Sequence, residues 1–222
     1  MRHRYFVTGT DTGVGKTEAA CALLEALRAK GNPWAFKPYE SGANQRGLPS
    51  DAARLWRAAG AWQDPRTVCV HTFAAALAPG VAAAQERRSP AWSKTLAGYR
   101  ALGKGPLVVE GAGGLFVPLD SQHDVIDLIA AMKLPVVLVA RAGLGTLNHV
   151  ALSLEALQRR RQKVAAVLLV RANAAADESI ASNPRWLAAR HPRVRFLGPV
   201  PHIANAVARR AALMRAVAPL VA

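Results

Sequence analysis

The stretch Gly9-Thr10-Asp11-Thr12-Gly13-Val14-Gly15-Lys16-Thr17 combines glycines, a lysine and a threonine at a spacing that suits phosphate chemistry. Glycines let successive backbone N–H groups close around a phosphate, and a helix opening behind them adds its N-terminal partial positive charge. Gly13, Val14 and Gly15 would wrap a nucleotide's phosphates, Lys16 would reach the terminal ones, and the Thr17 hydroxyl would bind Mg2+. The usual pattern leaves four residues between the first glycine and Gly-Lys; here Gly9 leaves five, so the loop is a variant.

Three further places carry matching chemistry. Lys37 follows the apolar run Trp34-Ala35-Phe36 and opens Lys37-Pro38-Tyr39-Glu40-Ser41-Gly42. A lysine ending an interior strand is costly unless it meets an anion, and otherwise it snorkels to solvent. Ser41 would donate to the same anion or simply make the turn. Glu110 ends Leu107-Val108-Val109 and directly precedes Gly111-Ala112-Gly113-Gly114. A carboxylate placed there can hold Mg2+ beside a nucleotide. Asp51 is either a second Mg2+ ligand or an ordinary acid at a helix start. The segment Gly145-Thr146-Leu147-Asn148 opens a helix whose N-terminus can take a carboxylate. His149 has neither a triad partner nor metal-ligand spacing and reads as structural, Cys21 reads as a small core residue, and the tryptophans read as packing.

The elements that must position these residues alternate. Short strands are expected at residues 5–7, 34–37, 106–110, 135–140, 164–170 and 194–197. Helices are expected at 17–29, 50–59 with Ser50 as cap, 122–132, 145–161, 179–190 with a break at Pro184, and 204–218. Residues 39–50 read as a polar, glycine-rich loop. Near-continuous Val/Leu strands separated by helices imply a doubly wound, mainly parallel α/β sheet, with ligands gathering at the strands' carboxyl ends.

Length and composition set the bounds. The 222 residues suit a single domain spanning 1–222, and 51% apolar residues exclude a disordered chain. Two cysteines are too few for a disulfide framework, and no apolar run approaches a membrane span or a signal peptide, so a cytoplasmic protein with no membrane partner is expected. The formal charge of +15 raises the question of a nucleic-acid partner. The basic residues are mostly scattered arginines, so the excess is assigned to the surface and no nucleic acid is expected.

The ordered motifs FVTGTDTGVGKT, KPYESG, SDAARL, VEGAGGLFVPL and PVVLVARAGLGTLNH resemble dethiobiotin synthetase, a family of the P-loop NTPase type, from residue 5 to about residue 155. The resemblance implies a homodimer and an ATP- and Mg2+-dependent ring closure. The substrate 7,8-diaminopelargonic acid takes up CO2 as a carbamate, which attacks ATP to give a carbamic-phosphoric mixed anhydride. The second amine then closes the ring with loss of phosphate. Lys16 and Lys37 would be catalytic. Thr17, Asp51 and Glu110 would hold Mg2+. Thr12, Lys37 and Ser41 would contact substrate, and Gly145, Thr146, Leu147 and Asn148 would take its carboxylate across the dimer interface. The adenine would rest near Asn173, Pro201 and His202. Two positions depart from the family: Gly13 stands where a glutamate is common, and Arg171 stands where an adenine-contacting asparagine is usual. The alternative is a nucleotide-switched ATPase acting on a macromolecule; partitioning ATPases, however, carry a second lysine where this chain has Asp11. An amide synthase of the cobyrinic acid type is the other rival, and 222 residues leave no room for its glutaminase domain.

Overall fold

A computed structural model describes residues 3–43, 50–171 and 173–222. In chain order the elements are β1 (Arg4–Gly9), α1 (Lys16–Leu27), β2 (Trp34–Phe36), β3 (Tyr39–Ser41), α2 (Ser50–Ala58), β4 (His71–Phe73), α3 (Pro79–Gln85), α4 (Trp92–Ala101), β5 (Leu107–Glu110), α5 (Val125–Met132), β6 (Val136–Arg141), α6 (Thr146–Arg159), β7 (Val164–Val170), α7 (Ser179–Arg190), β8 (Phe196–Val200) and α8 (Ala206–Val217).

Six of the strands form one sheet in the order β2-β5-β1-β6-β7-β8. Every pairing in it is parallel. Strand residues alternate between two cores because successive side chains point to opposite faces. Phe6, Val109, Leu138 and Leu169 join the core that also contains α5 and α6 residues. Val7, Val108, Val139 and Leu168 join the core built with α1, α2 and α8. Burial on both faces explains the unbroken apolar runs, and the doubly wound α/β expectation holds. The central strand β1 lies between β5 and β6, with Val7 opposite Glu110 and Gly9 opposite Val139. That register places the glycine loop after β1 beside the carboxyl end of β5.

Four local readings need correction. Residues 39–50 are not all loop: Tyr39–Ser41 is a strand, paired in parallel with β4 in a second, two-stranded sheet. Tyr39 and Phe73 are buried there, and that packing outweighs the turn signals of Pro38 and Gly42. The rest of that loop, residues 44–49, lies outside the described residues. Ser50 is the first helical residue of α2 rather than its cap, and Glu40 accepts the first-turn N–H groups instead. α7 runs through Pro184 without a break. Proline there removes one backbone donor, but buried Asn183 and Leu187 anchor the helix on both sides. Asn183 donates to the Ala142 and Gly143 carbonyls at 3.1 Å each. Trp186, finally, is 65% exposed and packs little.

Candidate active site

The glycine loop takes its shape from backbone conformations that side chains resist. Gly13 and Gly15 have φ of 72° and 97°, in the left-handed region where a Cβ is strained. Gly15 caps α1, so Lys16 and Thr17 start the helix directly behind the loop. Lys16 donates to the Asp11 carbonyl at 2.7 Å, curling its ammonium back across the loop.

Glu110 is 1% exposed at the end of β5. Its Oε1 accepts from Thr17 Oγ1 at 2.8 Å and from Lys37 Nζ at 2.8 Å. Asp51, the second residue of α2, has Oδ2 at 3.7 Å from the same ammonium. The start of α1, the residue after β2, the end of β5 and the start of α2 thus deliver Thr17, Lys37, Glu110 and Asp51 to one point. Lys16, Ser41, Thr12 and Gly13 join them around a cavity of about 710 Å3, a size suited to a small-molecule ligand.

The electrostatics of the two lysines differ. Burial lowers Lys16 to about 8, with the Glu110 carboxylate and then Lys37 as the next influences. Burial also opposes the charge on Lys37, but Glu110 and Asp51 outweigh it and its pKa rises above the usual lysine value. The site therefore contains one firmly ion-paired ammonium and one incompletely compensated ammonium. The second gains most from an incoming phosphate.

The donor set fits Mg2+. Glu110 Oε2 is buried with no hydrogen-bond partner among the described residues, while Thr17 and Asp51 offer further oxygen. No group of three or more His, Cys, Asp or Glu able to hold a metal occurs among the described residues. Mg2+ does not need one, because it keeps waters and phosphate oxygens and takes only one or two carboxylates.

Other expected site residues lie elsewhere. Gly145, Thr146, Leu147 and Asn148 open α6 and do not line this cavity. Thr146 is 3% exposed, and its buried hydroxyl has no partner among the described residues. Asn173 lines a separate cleft with Arg141 and Arg171. Its Oδ1 accepts the Ala175 N–H at 3.1 Å, while the Arg171 guanidinium donates to the Ala174 and Ala175 carbonyls. Pro201 and His202 follow β8, and Arg171 is tied to that edge through its N–H to the Val200 carbonyl.

Sequence reasoning missed Glu40, Glu18 and Arg54, all of which line the cavity. Arg54 ion-pairs with Glu18 and lies 3.7 Å from Asp51. Glu40 is 4% exposed; burial raises its pKa, and the N–H groups of Asp51 and Ala52 pull back. The available signal for Glu40 was an acid flanked by Tyr39 and Ser41 within three residues of Lys37.

A parallel sheet whose central strand feeds a glycine loop and helix, with paired lysines and carboxylates at the strand ends, defines a phosphate-loop nucleotide-binding α/β enzyme. A family model described as an AAA domain matches residues 3–210. The ATP-dependent dethiobiotin synthetase BioD of Anaeromyxobacter dehalogenans is 49% identical over 186 residues, 82% of this chain and 83% of its own. BioD 1 of Escherichia coli is 43% identical over 164 residues, 71% of this chain and 73% of its own. The chain belongs to the ATP-dependent dethiobiotin synthetase family. Among solved structures, apo McdA from Cyanthece aligns with a TM-score of 0.56 at 13% identity, over 97% of this chain and 91% of that one. A plasmid partition protein from Borrelia burgdorferi bound to AMPPNP aligns at 0.55 and 12%, over 97% and 98%. Those two share the fold alone.

Proposed function

We propose that this chain performs the ring closure its family name describes. 7,8-Diaminopelargonic acid, carbamated by CO2, is phosphorylated by ATP and cyclised to dethiobiotin with release of ADP and phosphate. The observation that carries this reading is the meeting of Lys16, Lys37, Thr17, Asp51 and Glu110 in one cavity.

In this reading Lys16 sits on the β- and γ-phosphates and neutralises charge as the phosphoryl group moves. Lys37 orients the carbamate oxygen toward the γ-phosphate, and Ser41 and Thr12 contact the substrate nitrogen end. Thr17, Asp51 and Glu110 would hold Mg2+, which would neutralise phosphate charge. Lys37, held 2.8 Å from Glu110, would be the ammonium nearest the carbamate. The carbamate then attacks phosphorus, the mixed anhydride forms, and the second amine attacks its carbonyl and expels phosphate. No covalent enzyme intermediate is required; the protein supplies position and charge.

The substrate's carboxylate end falls to α6. Its first turn, Thr146 to Asn148, is solvent-facing apart from Thr146 and lies outside the cavity of its own chain. Leu144 is 88% exposed beside it, and Leu77, Val81 and Phe116 are exposed apolar side chains near the cavity. A homodimer covering these surfaces would bring the partner's α6 to the cavity. Free thiols at Cys21 and Cys69 support a cytoplasmic setting. No helix among the described residues is long and apolar enough to cross a membrane.

The test is purified protein with the diamine, bicarbonate, ATP and Mg2+. Phosphate release that depends on both diamine and bicarbonate, with dethiobiotin identified by mass, supports the reading. Phosphate release indifferent to the diamine refutes it.

A further inference from the structure

Glu40 and Asp51 are eleven positions apart in the sequence, yet the two are in direct contact. Glu40 Oε1 accepts the Asp51 N–H at 2.9 Å, and Oε2 accepts the Ala52 N–H at 2.9 Å. Ser50 Oγ adds a longer contact to Oε1 at 3.5 Å. A 4%-exposed carboxylate from β3 thus closes on the first turn of α2 with both its oxygens.

We propose that Glu40 is a positioning residue for the metal site, acting through Asp51. The inference rests on the reading of Asp51 as a Mg2+ ligand. With its own N–H fixed, Asp51 has only two side-chain torsions between a clamped backbone and its carboxylate. That carboxylate lies 3.7 Å from Lys37, whose ammonium is also bonded to Glu110. Glu40 therefore sets how far α2 stands from β5, and so the separation of the two carboxylates that would share the ion. Both of its oxygens are engaged by backbone donors, so its carboxylate is committed to holding the first turn of α2. A carboxylate is required because two N–H groups point at it. An amide would turn an NH2 against one of them, leaving a buried donor unsatisfied.

A double-mutant cycle tests this on the full chain bound to a non-hydrolysable ATP analogue, with Mn2+ as the metal probe and electron paramagnetic resonance as the readout. D51N should weaken Mn2+ binding about 10- to 100-fold, and E40Q about tenfold. In the D51N background E40Q should add less than about twofold, because its route to the metal is already gone. An equal loss from E40Q in both backgrounds would mean a general structural role and would overturn the proposal. So would unchanged Mn2+ binding in folded E40Q. If D51N alone leaves Mn2+ binding unchanged, the assignment of Asp51 fails, and this proposal fails with it. Should E40Q melt below the assay temperature, E40D keeps the charge but withdraws it by one methylene. It enters the same cycle with the same two outcomes.

Discussion

The two ends of the proposed active site are built differently. At the phosphate end, Glu110, Lys37 and Lys16 are buried, and one oxygen of Glu110 accepts from both Thr17 and Lys37. At the other end, the α6 first turn and the Asn173 loop are largely exposed, and Asn173 bonds only within its own turn among the described residues. On the proposed reading, one chain gathers the residues assigned to phosphoryl transfer, whereas those assigned to the substrate tail and the base lie at exposed edges. Reaction chemistry tolerates little displacement, so it is held by strand ends and buried ion pairs. Binding contacts can be completed by the ligand or by a second subunit.

The largest expected effect tests the rigid end. Lys37→Gln keeps a hydrogen bond to Glu110 but removes the charge, and kcat should fall by about 100- to 1,000-fold with nucleotide binding retained. Near-normal turnover would remove Lys37 from the chemistry. Glu110→Gln follows: the Mg2+ concentration giving half-maximal rate should rise about 10- to 100-fold. An unchanged requirement would place the metal elsewhere.

The open end should respond more gently and in a different parameter. Thr146→Val removes a buried hydroxyl that has no partner within the described chain. KM for the diamine should rise about tenfold with kcat little changed. A fall in kcat instead would show that α6 takes part in the chemistry and would erase the contrast.

A fourth prediction concerns the scaffold under the phosphate end. His71 is buried in β4, and Thr95 Oγ1 links it to Tyr39, 3.1 Å from His71 Nε2 and 2.9 Å from the Tyr39 hydroxyl. Burial lowers the pKa of His71 below its usual value. The unfolded chain therefore takes up a proton on this side chain at a higher pH than the native one does. Stability contributed by neutral His71 is present above the unfolded pKa and is lost as pH falls below it, by at most about 1.4 kcal/mol per pH unit. Denaturant melts between pH 7 and pH 5 should show that slope, and His71→Gln should flatten it.

The smallest effect is expected at Asn173. Its Oδ1 is engaged by the Ala175 N–H, so Asn173→Ala should change KM for ATP by less than about threefold. A larger loss, specific to ATP over other nucleotides, would show that this loop reads the base directly.

Much of the rigid end was legible in the sequence because its physics is local. A continuous apolar strand, glycines at a strand-to-helix junction, and a charged residue closing a strand each leave a mark within a few positions. Lys16, Thr17, Lys37 and Glu110 were found that way, Asp51 was left open as an acid at a helix start, and the structure gathers all five. The second sheet was not legible. β3 and β4 are three residues each, too short for periodicity, and β3 is hidden between Pro38 and Gly42. Missing β3 meant missing Glu40, whose backbone partners in α2 are eleven and twelve positions away. Pro184 misled for a related reason: tertiary anchoring through Asn183 outweighs a local breaker. The helix start of α6 marked it as a carboxylate site, but its assignment to this substrate and the role of Asn173 came from family resemblance, since exposed turns carry no signature of the ligand that covers them.

The surface charge belongs to the same lesson. Arg159 pairs with Glu155 and Arg160 with Asp127, while Arg210 bridges Glu18 and Glu25. The arginines that raised the question of a nucleic-acid partner thus include several engaged in local ion pairs, and the cations lining the site are Lys16, Lys37 and Arg54, the last paired with Glu18.

The central claim is that the cavity transfers phosphate to a carbamate made from CO2. Turnover with oxygen-18-labelled bicarbonate, under conditions that limit exchange with water, tests it most directly. Attack by the carbamate oxygen predicts one labelled oxygen in each released phosphate and one in the ureido group of dethiobiotin. Released phosphate without label, beside labelled product, would contradict the account.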